Sequence, residues 1–263
     1  MCNEKREHIC VDRVVPFDLE EEARTVAIAE NPENAARPGT HSSERMALER
    51  QKMWRNGRTL RVRFLDGTPF LRAKVEQYAA EWTRHANLEF QFGDDPEAEI
   101  RVAFRAGRGS WSMMGTDALV RSFAAPDQPT MNFGWFDEST SEDEFSRVIV
   151  HEFGHAIGCI HEHQSPLGGI QWDEAAVLAY FSGPPNYWDE AHIRFNVLDK
   201  YSETAINGTE FDPDSIMLYQ FPASLMRNSA GTHMNNRLSA SDIAFIRKMY
   251  PGRPLAAVTG SAS

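Results

Sequence analysis

His151-Glu152-Phe153-Gly154-His155-Ala156-Ile157-Gly158-Cys159-Ile160-His161 sets three imidazoles and one carboxylate at the spacing a catalytic zinc ion requires. Residues four apart stack on one helix face, so His151 and His155 aim two nitrogens at one point about 2 Å away. Glu152 lies at the edge of that face. There its carboxylate reaches a bound water without ligating the metal, which is the place for a general base. Gly158 permits a left-handed backbone that ends the helix and turns the chain back, delivering His161 as the third ligand. Three neutral nitrogens leave zinc an open position and an acidified water, so the site reads as catalytic rather than structural. H-E-x-x-H alone arises by chance in about one chain in forty of this composition, and requiring Gly158 and His161 lowers that to roughly one in twenty thousand. The competing reading is a set of satisfied histidines on a buried helix.

The pattern resembles the metzincin zinc peptidases. Glu162, directly after the third histidine, is similar to the astacin-like members, and Ser215-Ile216-Met217-Leu218-Tyr219 resembles their Met-turn, Ser-x-Met-x-Tyr. The resemblance covers residues 58–250 and implies an α+β fold. That fold has a twisted five-stranded mixed sheet, two long helices including the zinc helix, and a smaller, mostly helical C-terminal subdomain below the cleft. It also implies one catalytic Zn2+ held by His151, His155 and His161, with Met217 flooring the site. Tyr219 is implied as either a fifth ligand or a phenol that stabilises the oxyanion. Without the resemblance, Met217 reads as core filling and Tyr219 as a buried phenol bonded to backbone. Animal astacins carry Phe where Cys159 stands, follow the motif with an Arg- and Asp-rich stretch where this chain has His163-Gln164-Ser165-Pro166-Leu167-Gly168-Gly169, and have paired disulfides absent here. The chain therefore resembles a disulfide-free, microbial relative.

A chain of 263 residues that is 41% hydrophobic fits one catalytic domain with short flanks. The expected organisation is an N-terminal extension 1–57, an upper subdomain 58–161, a lower subdomain 162–250, and a loose tail 251–263. A net charge of −11 excludes nucleic acid and anionic membranes as partners, and no run of eighteen apolar residues offers a membrane span. Protein or peptide substrates are the expected partners, and a monomer the expected state. The basic run Arg45, Arg50, Lys52, Arg55, Arg58, Arg61, Arg63 reads as a solvated face. Cys2, Cys10 and Cys159 cannot build a disulfide framework. The N-terminus has no apolar h-region, so sequence alone suggests the cytoplasm while the resemblance implies export.

Glu20-Glu21-Glu22, Asn31-Pro32 and Arg37-Pro38-Gly39 suggest a helix-poor lead-in anchored by Met53 and Trp54. It could act as a latency segment, with Cys10 as a thiolate ligand or an Asp in astacin style, although neither family's switch motif is legible. Strands are expected at 59–65, 88–92, 99–104, 110–115 and 130–135. A helix opens at Thr68-Pro69, with Leu71, Val75, Tyr78 and Trp82 as its buried stripe. The zinc helix opens on a Ser141-x-x-Glu144 capping box, and further helices follow at 172–181, 189–198 and from Ser239 to Pro251. Ser110, Trp111, Ser112, Met113, Met114 and Gly115 resemble the exposed edge strand of metzincins, to which an extended peptide adds itself, and otherwise read as a covered edge or a bulge-rich turn. His163 reads as a solvated turn or a lining of the cleft, Cys159 as a small hydrophobe below the site, and the remaining histidines as surface residues.

The expected chemistry is peptide hydrolysis by metal-activated water, with Glu152 as base and then acid. The rival readings are a silent peptide-binding domain, which should have lost Glu152 or a ligand, and a zinc amidase acting on non-peptide amides.

Overall fold

Leu60 and Val62 alternate with Arg61 and Arg63, and this pattern forms β1, Thr59–Phe64, with both apolar residues buried. The computed structural model describes residues 10, 13–35, 52–164, 169–184, 186–200, 211–228 and 230–253. Cys2, His8, His41, Arg45, Arg50, the Arg37-Pro38-Gly39 punctuation and the tail beyond Arg253 lie outside the described residues. After β1, the Thr68 hydroxyl accepts the Leu71 amide and Pro69 fills the first turn of α2, Pro69–Thr83. Its buried stripe is Leu71, Val75, Ala79 and Trp82. Tyr78, expected in that stripe, is only partly buried and donates its hydroxyl to Glu142.

The remaining strands are β2, Glu89–Phe92, β3, Ile100–Ala103, β4, Trp111–Ser112, and β5, Met131–Asn132. They form a five-stranded mixed sheet in the order β2-β1-β3-β5-β4. β1 runs parallel to β2 and β3, β3 parallel to β5, and β4 antiparallel to β5. Parallel neighbours need a crossover, which α2 supplies between β1 and β2. β4 and β5 are shorter than the sequence suggested. Ser110 accepts the Gly134 amide at its hydroxyl, and Gly115 takes a positive φ of 49° where a Cβ would collide with the Lys52 carbonyl.

The basic run is not simply a solvated face. Arg58 and Arg61 both grip the buried Glu99 carboxylate, and Lys52 pairs with the buried Asp117 at 2.8 Å. A buried carboxylate holds its charge only when paired in this way.

The zinc helix is α3, Glu142–Ala156, and ten of its residues are buried. Ser141 caps it by accepting the Glu144 amide, but the expected reciprocal bond does not form. The Glu144 carboxylate takes the Trp135 indole and Arg147 instead. At the other end Gly158, at φ +96°, allows Cys159 N to bond Gly154 O and Gly158 N to bond His155 O, which ends the helix in a Schellman turn. Two carbonyls at this end receive donors from distant chain. Trp54 Nε1 reaches Ala156 O at 2.8 Å and Tyr250 Oη reaches Ile157 O at 2.8 Å. The lead-in and the C-terminus are thereby fastened to the helix that carries the histidines.

Below α3 lie α4, Glu174–Phe181, and α5, Glu190–Ile193, which runs into a π-helical turn at Arg194–Leu198. α6, Ala240–Met249, follows and starts on the reciprocal capping box that α3 lacks. Asp173 and Asp189 cap α4 and α5, which is why both helices start later than expected.

The lead-in corrects the helix-poor expectation. Glu20–Glu30 is an α-helix, α1, whose Glu20, Glu21 and Glu22 occupy the first turn, where the helix dipole favours carboxylates. Val15 and Ala23 pack with Val120 in a small cluster separate from the main core. Among the described residues no helix is long and apolar enough to cross a membrane.

Candidate metal site and cleft

His151 and His155 project from one face of α3, and the turn after Gly158 brings His161 back against them. All three are buried. Their Nε2 atoms lie 3.0, 3.1 and 3.2 Å apart. Four nitrogens around zinc would stand roughly 3.3 Å from each other, given bonds of about 2 Å. The opposite ring nitrogens are each held by an oxygen. His151 Nδ1 meets Ile216 O at 2.9 Å, His155 Nδ1 meets Cys159 O at 2.8 Å, and His161 Nδ1 meets Gln164 Oε1 at 3.3 Å. An oxygen at Nδ1 places the proton there and leaves each Nε2 lone pair aimed at the shared point. Burial first, and then the neighbouring His155 and His161, push the His151 pKa well below its ordinary value, which favours the neutral form that a metal needs. The donor set therefore fits zinc.

Glu152 is fully buried on α3 beside the first ligand. Tyr219 is buried with its hydroxyl against His161 Nε2, and it also donates to the Cys10 carbonyl at 2.9 Å. The structure thus brings Tyr219 into the histidine cluster. Met217 lies under it for a reason the sequence motif does not spell out. A Cβ on Gly154 would fall 2.5 Å from Met217 Sδ and 2.9 Å from Trp82, so only glycine lets the thioether approach the helix between the two ligands.

Two other residues stand differently from expectation. His163 is no solvated turn: it is fully buried, its Nε2 meets Asn196 O at 2.9 Å, and its ring lies 5.2 Å from that of Tyr219. Cys159 packs in the core as expected, but its functional atom is the carbonyl that holds His155.

Ser110 to Gly115 includes β4, the edge strand of the sheet, one flank of which is bonded to β5. On the other flank Met113 bridges Arg13 in parallel. The chain's own N-terminal segment therefore runs along this edge. Three residues earlier, Cys10 is buried with its thiol at the Glu152 carboxylate. Burial foremost, and then Glu152, raise that thiol's pKa well above the ordinary value. Gln164, Gly154 and Asp242 are the contributors that the sequence did not assign. Asp242 bonds the Ser215 hydroxyl and the Ile216 amide of the Met-turn.

Neither family models nor curated proteins give a match to this chain. Solved structures do. One structure of myroilysin shares 46% identity over 77% of this chain and 97% of that one, with a TM-score of 0.74. A second myroilysin structure matches at 40% identity over 94% of this chain and 100% of that one, with a TM-score of 0.60. Residues 58–263 are too few to supply that larger share, so the likeness extends into the N-terminal extension. High choriolytic enzyme 1, a hatching enzyme zinc-protease from Oryzias latipes (medaka fish), matches at 16% identity over 76% of this chain and 94% of that one, with a TM-score of 0.50. At that identity the match speaks for the fold alone.

Proposed function

Because this chain belongs to the astacin-like metzincin zinc metallopeptidases, we propose that it is an endopeptidase that hydrolyses internal peptide bonds with Glu152 as the proton carrier. The observation that carries this is the convergence of three Nδ1-tethered histidines on one point with a buried carboxylate beside them. His151, His155 and His161 would hold the zinc, with Tyr219 at its margin. When bound, zinc supplies Lewis-acid polarisation and lowers the pKa of water toward 7. Glu152 takes one proton from the attacking water and, as the C–N bond breaks, delivers it to the departing amine. The Tyr219 hydroxyl donates to the carbonyl oxygen as negative charge develops there. The backbone of Ser110 to Gly115 orders an extended substrate by main-chain hydrogen bonds, so affinity does not demand one sequence.

A mass-spectrometric cleavage profile on casein and a peptide library, with and without chelator, tests this reading. Chelator-sensitive internal cleavage is expected. Hydrolysis confined to non-peptide amides would favour an amidase, and zinc uptake without any turnover would favour a binding domain.

The N-terminal extension is a latency segment in this proposal. Cys10 at Glu152, Tyr219 bonded to the Cys10 carbonyl, and Arg13 on the β4 edge together support it. A substrate needs all three places. In a zinc-loaded chain the Cys10 thiol, now beside Glu152, would have to turn to the open position to serve as a further ligand there. In the chain that keeps its N-terminal extension, Cys10→Ser is expected to raise basal cleavage at least about tenfold, since a hydroxyl is a poorer zinc ligand than a thiolate. Basal rates that are equal in the two chains would remove the switch.

A further inference from the structure

Arg13 lies on the β4 edge with its guanidinium carbon 4.3 Å from the centroid of Trp111 and 5.3 Å from that of Phe123. Both distances fall within the range at which a cation is attracted to an aromatic face. We propose that Trp111 and Phe123 form a subsite of the cleft that takes a cationic side chain of the bound peptide, arginine in preference to lysine. The inference rests on the reading that peptides bind along β4, where Arg13 now stands in for a substrate residue.

The two rings are fixed by independent means. Trp111 pairs with Asn132 of β5, and the Asn132 side chain in turn holds Gly109 O at 2.6 Å. Phe123 sits on the loop between Val120 and Gln128, which is clamped by Arg101. This fully buried arginine donates to Ala124 O at 2.9 Å and Gln128 O at 2.8 Å. With Met113 and Ala124 the rings make a small apolar cluster apart from the main core. The subsite is therefore built on a strand and a pinned loop, and Phe123 also packs against the cluster of Val15, Ala23 and Val120 beside it.

Chemistry favours arginine. Burial and the nearby Arg105 both work against a positive charge at Arg13, and both lower its pKa. A planar guanidinium stacked on an indole is weakly hydrated and tolerates such a place, whereas a compact ammonium keeps its water. Cys10, at the catalytic carboxylate, is three residues away, so the subsite lies within about 10 Å of chain from the bond to be cut.

Peptides carrying arginine or its neutral isostere citrulline at each position around one scissile bond test the proposal in the zinc-loaded chain. Arginine at one position is expected to raise kcat/KM about fivefold over citrulline, and Phe123→Ala to bring that ratio toward one. A second measurement is independent of turnover. In Arg13→Ala, which removes the guanidinium from the two rings, N-acetyl-arginine N-methylamide should bind about fivefold more tightly than its citrulline counterpart, and Phe123→Ala should erase the difference. Cleavage without arginine preference at any position, or equal binding of the two amides, overturns the subsite and leaves the peptidase reading standing. Selective binding without hydrolysis of any peptide does the reverse.

Discussion

Glu152→Gln is expected to keep zinc and to lower kcat/KM about 10³–10⁴-fold, the share of the rate that a positioned general base supplies. The substitution is nearly isosteric, and it falls on a residue that the three ligands do not use. Ile216 O, Cys159 O and Gln164 hold the histidine rings, and none of those contacts passes through Glu152. Metal content measured after gel filtration should therefore match the parent chain. What the glutamine loses is the capacity to accept a proton from water and return it to the amine. Full cleavage by a zinc-replete Glu152→Gln chain would mean that some other group carries the proton. Loss of zinc together with activity would instead assign Glu152 a structural part, so the two measurements belong together.

Local chemistry was legible in the sequence wherever one side chain meets backbone a few residues away. Thr68 and Ser239 cap their helices as read, and the turn at Gly158 delivers His161 as the eleven-residue spacing required. The alternation in Thr59–Phe64 gave β1 for the same reason. α1 escaped notice because its buried face is made of Ala23 and Ala27, small residues that hardly register as a hydrophobic stripe beside a run of glutamates. Contacts between distant segments left no periodic trace at all. Cys10 and Tyr219 meet across 209 positions, and nothing in either neighbourhood encodes the other. Gln164 lies in the stretch that departs from the animal astacin pattern, yet its amide holds His161 while donating to Phe195 O at 2.8 Å. Its role depends on the turn after α5, which sequence spacing does not place.

Asp242 is the sharpest instance, because completing the Ser239 capping box of α6 is only part of what it does. One carboxylate oxygen accepts the Ser215 hydroxyl at 2.7 Å, and the other accepts the Ile216 amide at 2.8 Å and the Ser239 amide at 2.9 Å. The Ile216 carbonyl, on the far side of that residue, meets His151 Nδ1. A carboxylate on the last helix thus sets the Met-turn, and the Met-turn sets the first ligand. Asp242→Ala strands the buried Ser215 hydroxyl and Ile216 amide, which should cost about 3–5 kcal/mol of stability when bonds to a charged acceptor are lost. Released from its partner, the Ile216 carbonyl orients His151 less firmly, and zinc affinity should fall about 10–100-fold, as it does when such outer partners of metal ligands are removed. A purely structural cap would lower stability and leave metal binding in the folded fraction unchanged. Asp242→Asn separates the two. It keeps one acceptor and enough stability to fold, while its amide group faces either the Ile216 amide or the Ser215 hydroxyl. Denaturant unfolding and competitive zinc titration on that variant should show weaker metal binding at temperatures where the chain is fully folded. Zinc affinity equal to that of the parent would break the link from α6 to His151.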